Sequence, residues 1–425
     1  MDVAVIGAGY VGLVTGAGLA GLGHRVRVSE ADPARLETLR TGKAPFHEPG
    51  LEDLVRAKLD AGMLSFHGDN REAVSGAEIV FIAVPTPMGD EGAADLSIVD
   101  SVLREAGSHL DPNSVVVLKS TVPPGSARTF HKLLRDLGVQ AHVVSNPEFL
   151  RQGKALEHFL RPDRIVVGAD DPAAVAVMQR LYAGVDCPLL VMDPTSAELV
   201  KYGSNSFLAA RVSFVNSMAN LAEVLGADID SIVAGMGLDR RIGNAFFKPG
   251  PGYGGSCLPK DTRALLYASS EAGYDFDLLD AVIRTNERQL DRMVAKVEAA
   301  AGDLRELTVA VWGLTFKAGT SDVRHSPAAA MADKLRRSGA VVRAYDPMAD
   351  RDLPGVDRVG DAVTATRGAA ALIVATEWEE FAEVDLSLVR DAMEGRVIID
   401  TRNMLDAARA RELGFAYEGV GRGGD

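Results

Sequence analysis

A cysteine set among glycines and prolines is the residue of this 425-residue chain best placed to form a covalent bond. Cys257 stands in Lys248-Pro249-Gly250-Pro251-Gly252-Tyr253-Gly254-Gly255-Ser256-Cys257-Leu258-Pro259-Lys260-Asp261. Glycines beside a cysteine expose its sulfur and let a ligand approach the backbone. Lys260 and a helix starting after the loop would lower the thiol pKa. A thiolate attacks an aldehyde carbon and holds it as a thiohemiacetal for oxidation. Lys201 and Asn205 are four apart in a helical pattern and share one face. They would offer a cation and an amide donor to an oxyanion; a solvated polar face fits the same spacing. Cys187, in the apolar context Asp186-Cys187-Pro188-Leu189-Leu190, reads as a buried structural thiol. The eight histidines show no metal-ligand spacing, and no metal is expected.

Gly7-Ala8-Gly9-Tyr10-Val11-Gly12 follows a β-branched run and opens a helical pattern. In G-x-G-x-x-G the first glycine makes the tight turn and the second admits a pyrophosphate to the backbone. The third packs helix on strand, with the pyrophosphate at the helix N-terminus. Glu30 follows the second strand about 20 residues on, where an acid bonds the ribose hydroxyls. Its charge would repel a 2′-phosphate, which favours NAD over NADP; nearby Arg35 weakens that preference. Thr86, in Val84-Pro85-Thr86-Pro87, Thr121, in Ser120-Thr121-Val122-Pro123, and Glu148, in Asn146-Pro147-Glu148-Phe149-Leu150, all end strands. Ligands of open α/β sheets bind at carboxyl strand ends. Glu148 there suits a base or a water-holder.

These residues need a scaffold, and the hydropathy pattern supplies one. Runs at 3–6, 25–28, 79–84, 115–118, 142–145 and 165–167 alternate with amphipathic segments, as in a parallel sheet with crossover helices. From Ser196 to Leu225 no proline intervenes and apolar residues recur at helical spacing, predicting a helix of about 30 residues, ~45 Å long. That is a spine joining two domains rather than a core helix. A second α/β pattern opens at Thr308, with strands at 341–345, 372–375 and 397–399, and Gly421–Asp425 reads as a frayed tail. The expected fold class is α/β, two Rossmann-like doubly wound domains joined by a long central helix. The expected segments are 1–195 for the dinucleotide, 196–302 for the spine and cysteine loop, and 303–425 for the substrate.

Composition narrows the partners. The chain carries 45 Lys+Arg against 59 Asp+Glu, a formal charge of −14. That disfavours sequence-independent nucleic-acid binding and docking on anionic membranes. No apolar run approaches the ~20 residues of a membrane span and no signal segment opens the chain, so a cytoplasmic location is expected. Two cysteines, far apart, exclude a disulfide framework.

Taken together, the Phe247–Asp261 loop, Asn146-Pro147-Glu148-Phe149-Leu150-Arg151, Lys201 with Asn205, and Gly313-Leu314-Thr315-Phe316-Lys317 resemble the UDP-glucose/GDP-mannose dehydrogenases over nearly the whole chain. Pro162-Asp163-Arg164-Ile165-Val166 is similar to the UDP-glucose branch. The resemblance implies oxidation of the C6 alcohol of UDP-glucose to UDP-glucuronate with two NAD, through a thiohemiacetal and a thioester on Cys257. By position it implies that Lys201 and Asn205 stabilise the C6 oxygen, that Asp261 and Thr121 organise a water, and that Glu148 is the acid/base of hydrolysis. It places NAD at Gly7, Gly9, Tyr10, Val11, Gly12, Glu30, Arg35, Thr86, Thr121, Glu148, Lys260 and Arg324. It places the nucleotide-sugar at Glu148, Phe149, Leu150, Lys201, Asn205, Lys248, Gly250, Tyr253, Gly254, Cys257, Phe316, Lys317 and Arg402. Arg241 is similar to the family's arginine that reaches across a homodimer interface. The chain departs from the family pattern at Glu30, where aspartate is usual, at Arg35, Leu258 and His325. Another nucleotide-sugar (a UDP-N-acetyl-hexosamine or GDP-mannose), a one-hydride β-hydroxyacid dehydrogenase and a non-catalytic binding module are the competing readings.

Overall fold

The computed structural model describes residues 1–422. The chain divides into two compact units. One comprises Met1–Ser204 and Arg263–Tyr274; the other comprises Asn205–Thr262 and the chain from Asp275 onward.

The first unit is built on eight strands: β1 (Asp2–Ile6), β2 (Arg25–Ser29), β3 (Leu64–His67), β4 (Ile79–Ile82), β5 (Val115–Leu118), β6 (His142–Ser145), β7 (Ile165–Gly168) and β8 (Leu189–Met192). Their order is β3-β2-β1-β4-β5-β6-β7-β8. Alternate residues of β1 feed two cores: Val3 and Val5 enter one, Ala4 and Ile6 the other. A strand apolar on both faces must be covered on both, which is why helices lie on either side. The strand order reverses between β1 and β4, so a crevice opens at their carboxyl ends beside Gly7–Gly12. The parallel expectation holds for β1 to β6 and needs correction beyond them. β7 meets β6 antiparallel at Ser145 and Gly168, and β8 follows β7 in parallel, so the last pair runs against the rest. Strands β3 and β8 escape the sequence pattern because they are edge strands; Leu190 and Val191 of β8 are half exposed.

The second unit holds β9 (Thr308–Trp312), β10 (Val341–Tyr345), β11 (Val356–Arg358), β12 (Ala371–Val374), β13 (Val397–Asp400) and β14 (Ala416–Glu418), parallel in the order β11-β10-β9-β12-β13-β14. The turn after β9 differs from its counterpart after β1. Asp346, just past β10, is buried, and its Oδ2 accepts from the amides of Leu314 at 2.7 Å and Thr315 at 2.9 Å. Its Oδ1 accepts from Met348 and Ala349 at 2.9 and 2.8 Å. A side chain of the protein itself therefore occupies the amides of this turn.

A 32-residue helix, Pro194–Leu225, runs from one unit into the other. It starts two residues before the expected position, with Pro194 in the first turn. Along it Phe207, Phe214 and Leu221, seven apart, are 64%, 50% and 48% exposed. The cysteine loop leads into the helix Leu258–Glu271, and Asp277–Ala301 follows. The expectation of a frayed tail is corrected at its start. Gly421 O accepts from Ile229 N at 2.9 Å, and Arg422 pairs with Asp230 at 2.8 Å. Residues 423–425 lie outside the described residues. Among the described residues, no helix is long and apolar enough to cross a membrane.

Candidate active site

In the first unit the Gly7–Gly12 turn has the form a pyrophosphate requires. Gly7 has φ +96°, and a Cβ there would sit 2.8 Å from Ala83 O. A Cβ on Gly12 would lie 1.8 Å from Gly7 O. Gly9 caps the helix beginning at Tyr10 with no side chain on its amides and no acid in the first turn, and the space above its Cα is open. An uncapped helix N-terminus of this kind favours an anion. These residues fit a dinucleotide. Glu30, 8% exposed, ends β2, and its carboxylate accepts from Asp32 N at 2.9 Å. Arg35 leans on Glu30 at 3.5 Å, so its charge is already engaged. The Tyr10 hydroxyl donates to Glu48, a buried carboxylate that also accepts from Gly153 N at 2.8 Å and Ala155 N at 2.7 Å. Val11 packs against the core. Thr86 donates to Thr121 O at 2.9 Å, tying together the ends of β4 and β5.

Glu148, beyond β6, and Lys201, on the spine helix, form a buried ion pair of 2.8 Å. Burial opposes the Glu148 charge, but the Lys201 ammonium, the Leu150 amide and Lys119 hold its carboxyl below the usual range. It is therefore ionised at neutral pH and suits a base. Lys201 also lies 5.6 Å from the Phe149 ring centre, and Arg164 stacks on that ring at 3.6 Å. Thr121 and Lys201 line one small hollow with Glu198. Glu198 accepts from Ala127 N at 2.9 Å and Ser145 Oγ at 2.8 Å, and burial raises its pKa.

In the second unit Cys257 is exposed. Its carbonyl accepts from Asp261 N at 2.8 Å, the first bond of the helix it caps, so the sulfur sits at a helix N-terminus. That position favours thiolate. Lys260, expected to assist the thiol, bonds Asp261 Oδ1 at 2.6 Å. The field of Arg324 also meets Cys257; this guanidinium is held by Asp322 at 2.8 and 2.7 Å and is raised chiefly by that pairing. Asp261 is buried, and its other oxygen accepts from Asn205 Nδ2 at 2.6 Å. Lys201 and Asn205, one turn apart, thus each meet a carboxylate instead of solvent.

Amide side chains pin the loop before Cys257. Asn216 Oδ1 accepts from Gly250 N at 2.8 Å, and Gln289 Nε2 donates to Gly250 O at 2.9 Å. Asn286 takes Tyr253 N at 2.7 Å and gives to Tyr253 O at 3.1 Å. A Cβ on Gly254 would lie 2.4 Å from His325 O, and one on Gly255 would lie 2.9 Å from the Phe316 ring. Arg402 reaches Ala375 O at 2.9 Å, Phe316 O at 3.4 Å and Glu377 at 3.2 Å. Lys317 lies 5.7 Å from the Phe316 ring centre. Gly250, Tyr253, Gly254, Phe316, Lys317, Arg324 and Arg402 accordingly belong to the unit that carries Cys257, along with exposed Lys248. Arg241 pairs locally, with Asp239. Cys187 is half-buried rather than buried, and burial pushes its thiol up. Among the described residues no group of three or more His, Cys, Asp or Glu is arranged to hold a metal.

Three domain descriptions match in series: the NAD binding domain of the UDP-glucose/GDP-mannose dehydrogenase family over residues 1–186, its central domain over 195–288 and its UDP binding domain over 310–407. The chain belongs to this family. A UDP-glucose 6-dehydrogenase of Pseudomonas aeruginosa is 42% identical over 99% of this chain and 98% of its own. The structure of a UDP-glucose dehydrogenase from the archaeon Pyrobaculum islandicum superposes with a TM-score of 0.93 at 40% identity, covering 99% of this chain and 97% of that one. A UDP-D-ManNAc dehydrogenase from Pyrococcus horikoshii gives 0.90 at 29% identity, with both chains fully covered.

Sequence reasoning missed Lys119, Glu198 and the loop-pinning amides. Lys119 stands directly before Ser120-Thr121 at a strand's carboxyl end, which was a usable signal. Asn286 and Gln289, three apart in a helix, gave none, because nothing local shows what they face.

Proposed function

We propose that the protein oxidises the C6 alcohol of UDP-glucose to the carboxylate in two hydride transfers, with the half-oxidised sugar held on Cys257. The observation that carries this reading is the Cys257 thiol, exposed at a helix N-terminus behind a loop pinned by four amide hydrogen bonds. Bound NAD supplies the hydride acceptor, and the Gly7–Gly12 amides with Glu30 are the residues to hold it. Lys201 and Asn205 steady the C6 oxygen as its charge changes. The Cys257 thiolate adds to the C6 aldehyde carbon to give a thiohemiacetal, and loss of the second hydride from C6 leaves a thioester. Glu148, ionised, takes a proton from the attacking water, with Asp261 and Thr121 to orient it; the C–S bond breaks and the thiolate returns. Phe149, Leu150, Lys248, Gly250, Tyr253, Gly254, Phe316, Lys317 and Arg402 bind the nucleotide-sugar, so binding energy remote from C6 positions C6.

The test is to count NADH released per UDP-glucose consumed. Two supports this reading, one points to a single-hydride dehydrogenase, and none with any sugar leaves a binding module. A second reading, a UDP-N-acetyl-hexosamine as substrate, is favoured by the likeness to the Pyrococcus horikoshii structure; a panel of nucleotide-sugars decides between them. The exposed Phe207, Phe214 and Leu221 seam supports a homodimer through the spine helix, with Arg241 reaching the partner. We place the reaction in the cytoplasm, where a reactive thiol stays reduced.

A further inference from the structure

A buried cation stands behind Glu148 that the chemistry above leaves unused. Lys119, 6% exposed, directly follows β5. Its Nζ donates to Asn146 Oδ1 at 3.0 Å, and the same oxygen accepts from the Tyr182 hydroxyl at 2.7 Å. Asn146 Nδ2 donates to Val166 O at 2.7 Å, so β7 fixes the amide that fixes the ammonium. An amide oxygen orients a cation without neutralising it. The charges acting on Lys119 are Glu148, which attracts it, and Lys201, which repels it. Glu148 feels both lysines, and it is also sensed by the Tyr10 phenol.

Lys119 and Glu148 line a cavity. It measures about 230 Å³ and runs on to Glu157, His158, Arg161 and Asp163, with Arg164 along its wall. Burial pushes the Lys119 ammonium down to about 8, so its charge is finely balanced.

We propose that Lys119 is a positioning residue acting through Glu148 and Lys201: its charge keeps the carboxylate ionised and makes the neighbouring ammonium a readier proton donor. The proposal rests on the roles given to Glu148 and Lys201 above. Its signature is directional. Lys119→Met removes a cation from both partners. Glu148 then loses an attraction and holds its proton to higher pH, while Lys201 loses a repulsion and does the same. Both limbs of the pH profile of kcat/KM should therefore slide to the alkaline side, each by about one unit. Lys119→Arg keeps the charge and should keep both limbs in place.

The same shift should appear without any substrate. In a carboxyl ¹³C titration of the full-length protein, with the Glu148 signal assigned by Glu148→Gln, the Glu148 midpoint should rise in Lys119→Met. Midpoints unmoved by Lys119→Met, or limbs moving apart, overturn the proposal. So does failure of both Lys119→Met and Lys119→Gln to fold while Lys119→Arg folds, since the lysine is then a structural ion. If the wild type releases no NADH from UDP-glucose, the functional reading fails separately, and the ¹³C midpoint still decides on Lys119.

Discussion

Glu148 and Asp261 are buried carboxylates, each satisfied by a lysine and an amide, and that is where side-chain chemistry becomes measurable. Lys201→Ala should lower the rate by on the order of 10²–10³, the usual loss of an oxyanion donor; less than tenfold would reassign it to a structural role. Cys257→Ser should bind both ligands, by calorimetry, yet lose overall turnover. The Glu148 carboxyl titrates below its ordinary value, so its contribution to stability is present above the ordinary carboxylate range. That contribution is lost as pH falls through the folded value. Melting curves should show this acid loss in the wild type and less of it in Glu148→Gln. Cys257 and Asp261 stood out in their Gly/Pro loop and Glu148 at a strand end, whereas the Lys201–Asn205 spacing fitted a solvated face as well, and only the fold sets each against a carboxylate. Lys119 offered only its place at a strand's carboxyl end; what distinguishes it is the absence of solvent, and a sequence does not show burial of a single lysine.

The elements that carry these groups were readable where the physics is local. β-branched runs alternating with amphipathic stretches located β1, β2, β4 to β7 and the central strands of the second sheet. The reversal of β7 and β8 was not readable, since strand direction is set by where the chain returns and not by which residues are apolar. The Gly7–Gly12 turn makes a sharp demand. Gly12→Ala would drive a methyl into Gly7 O and should abolish NAD binding by fluorescence titration, with a lower Tm. At the cysteine loop, Asn286→Ala would remove the two bonds it makes to the backbone of Tyr253. Each unsatisfied buried group costs ~1–3 kcal/mol. Denaturant melts should show that loss, with a raised KM for the nucleotide-sugar where the loop is loosened.

At the scale of the molecule, the spine helix was legible to within two residues because 30 positions without a breaker leave few alternatives. Its outward face carries large apolar side chains at a repeat of seven, the seam of the proposed homodimer. Phe214→Glu should shift the mass found by light scattering from dimer to monomer; an unchanged mass would remove the seam from the interface. The second sheet was legible as an echo of the first. What the echo does not share, the carboxylate lodged in its first turn, depends on Asp346 meeting amides some 30 residues earlier in the chain.

That lodged carboxylate bears on how the proposed reaction would run. With the turn after β9 stoppered from within, only the turn after β1 stands open among the described residues. Equilibrium dialysis should then find one nicotinamide per chain. A single berth has to be vacated and refilled midway through each sugar, while the substrate is still an electrophile that water could carry off. A reversible fit would let it drift away during the changeover. A bond to sulfur would not, and on this view the thiol is the mooring that a one-berth enzyme needs in order to finish what it starts.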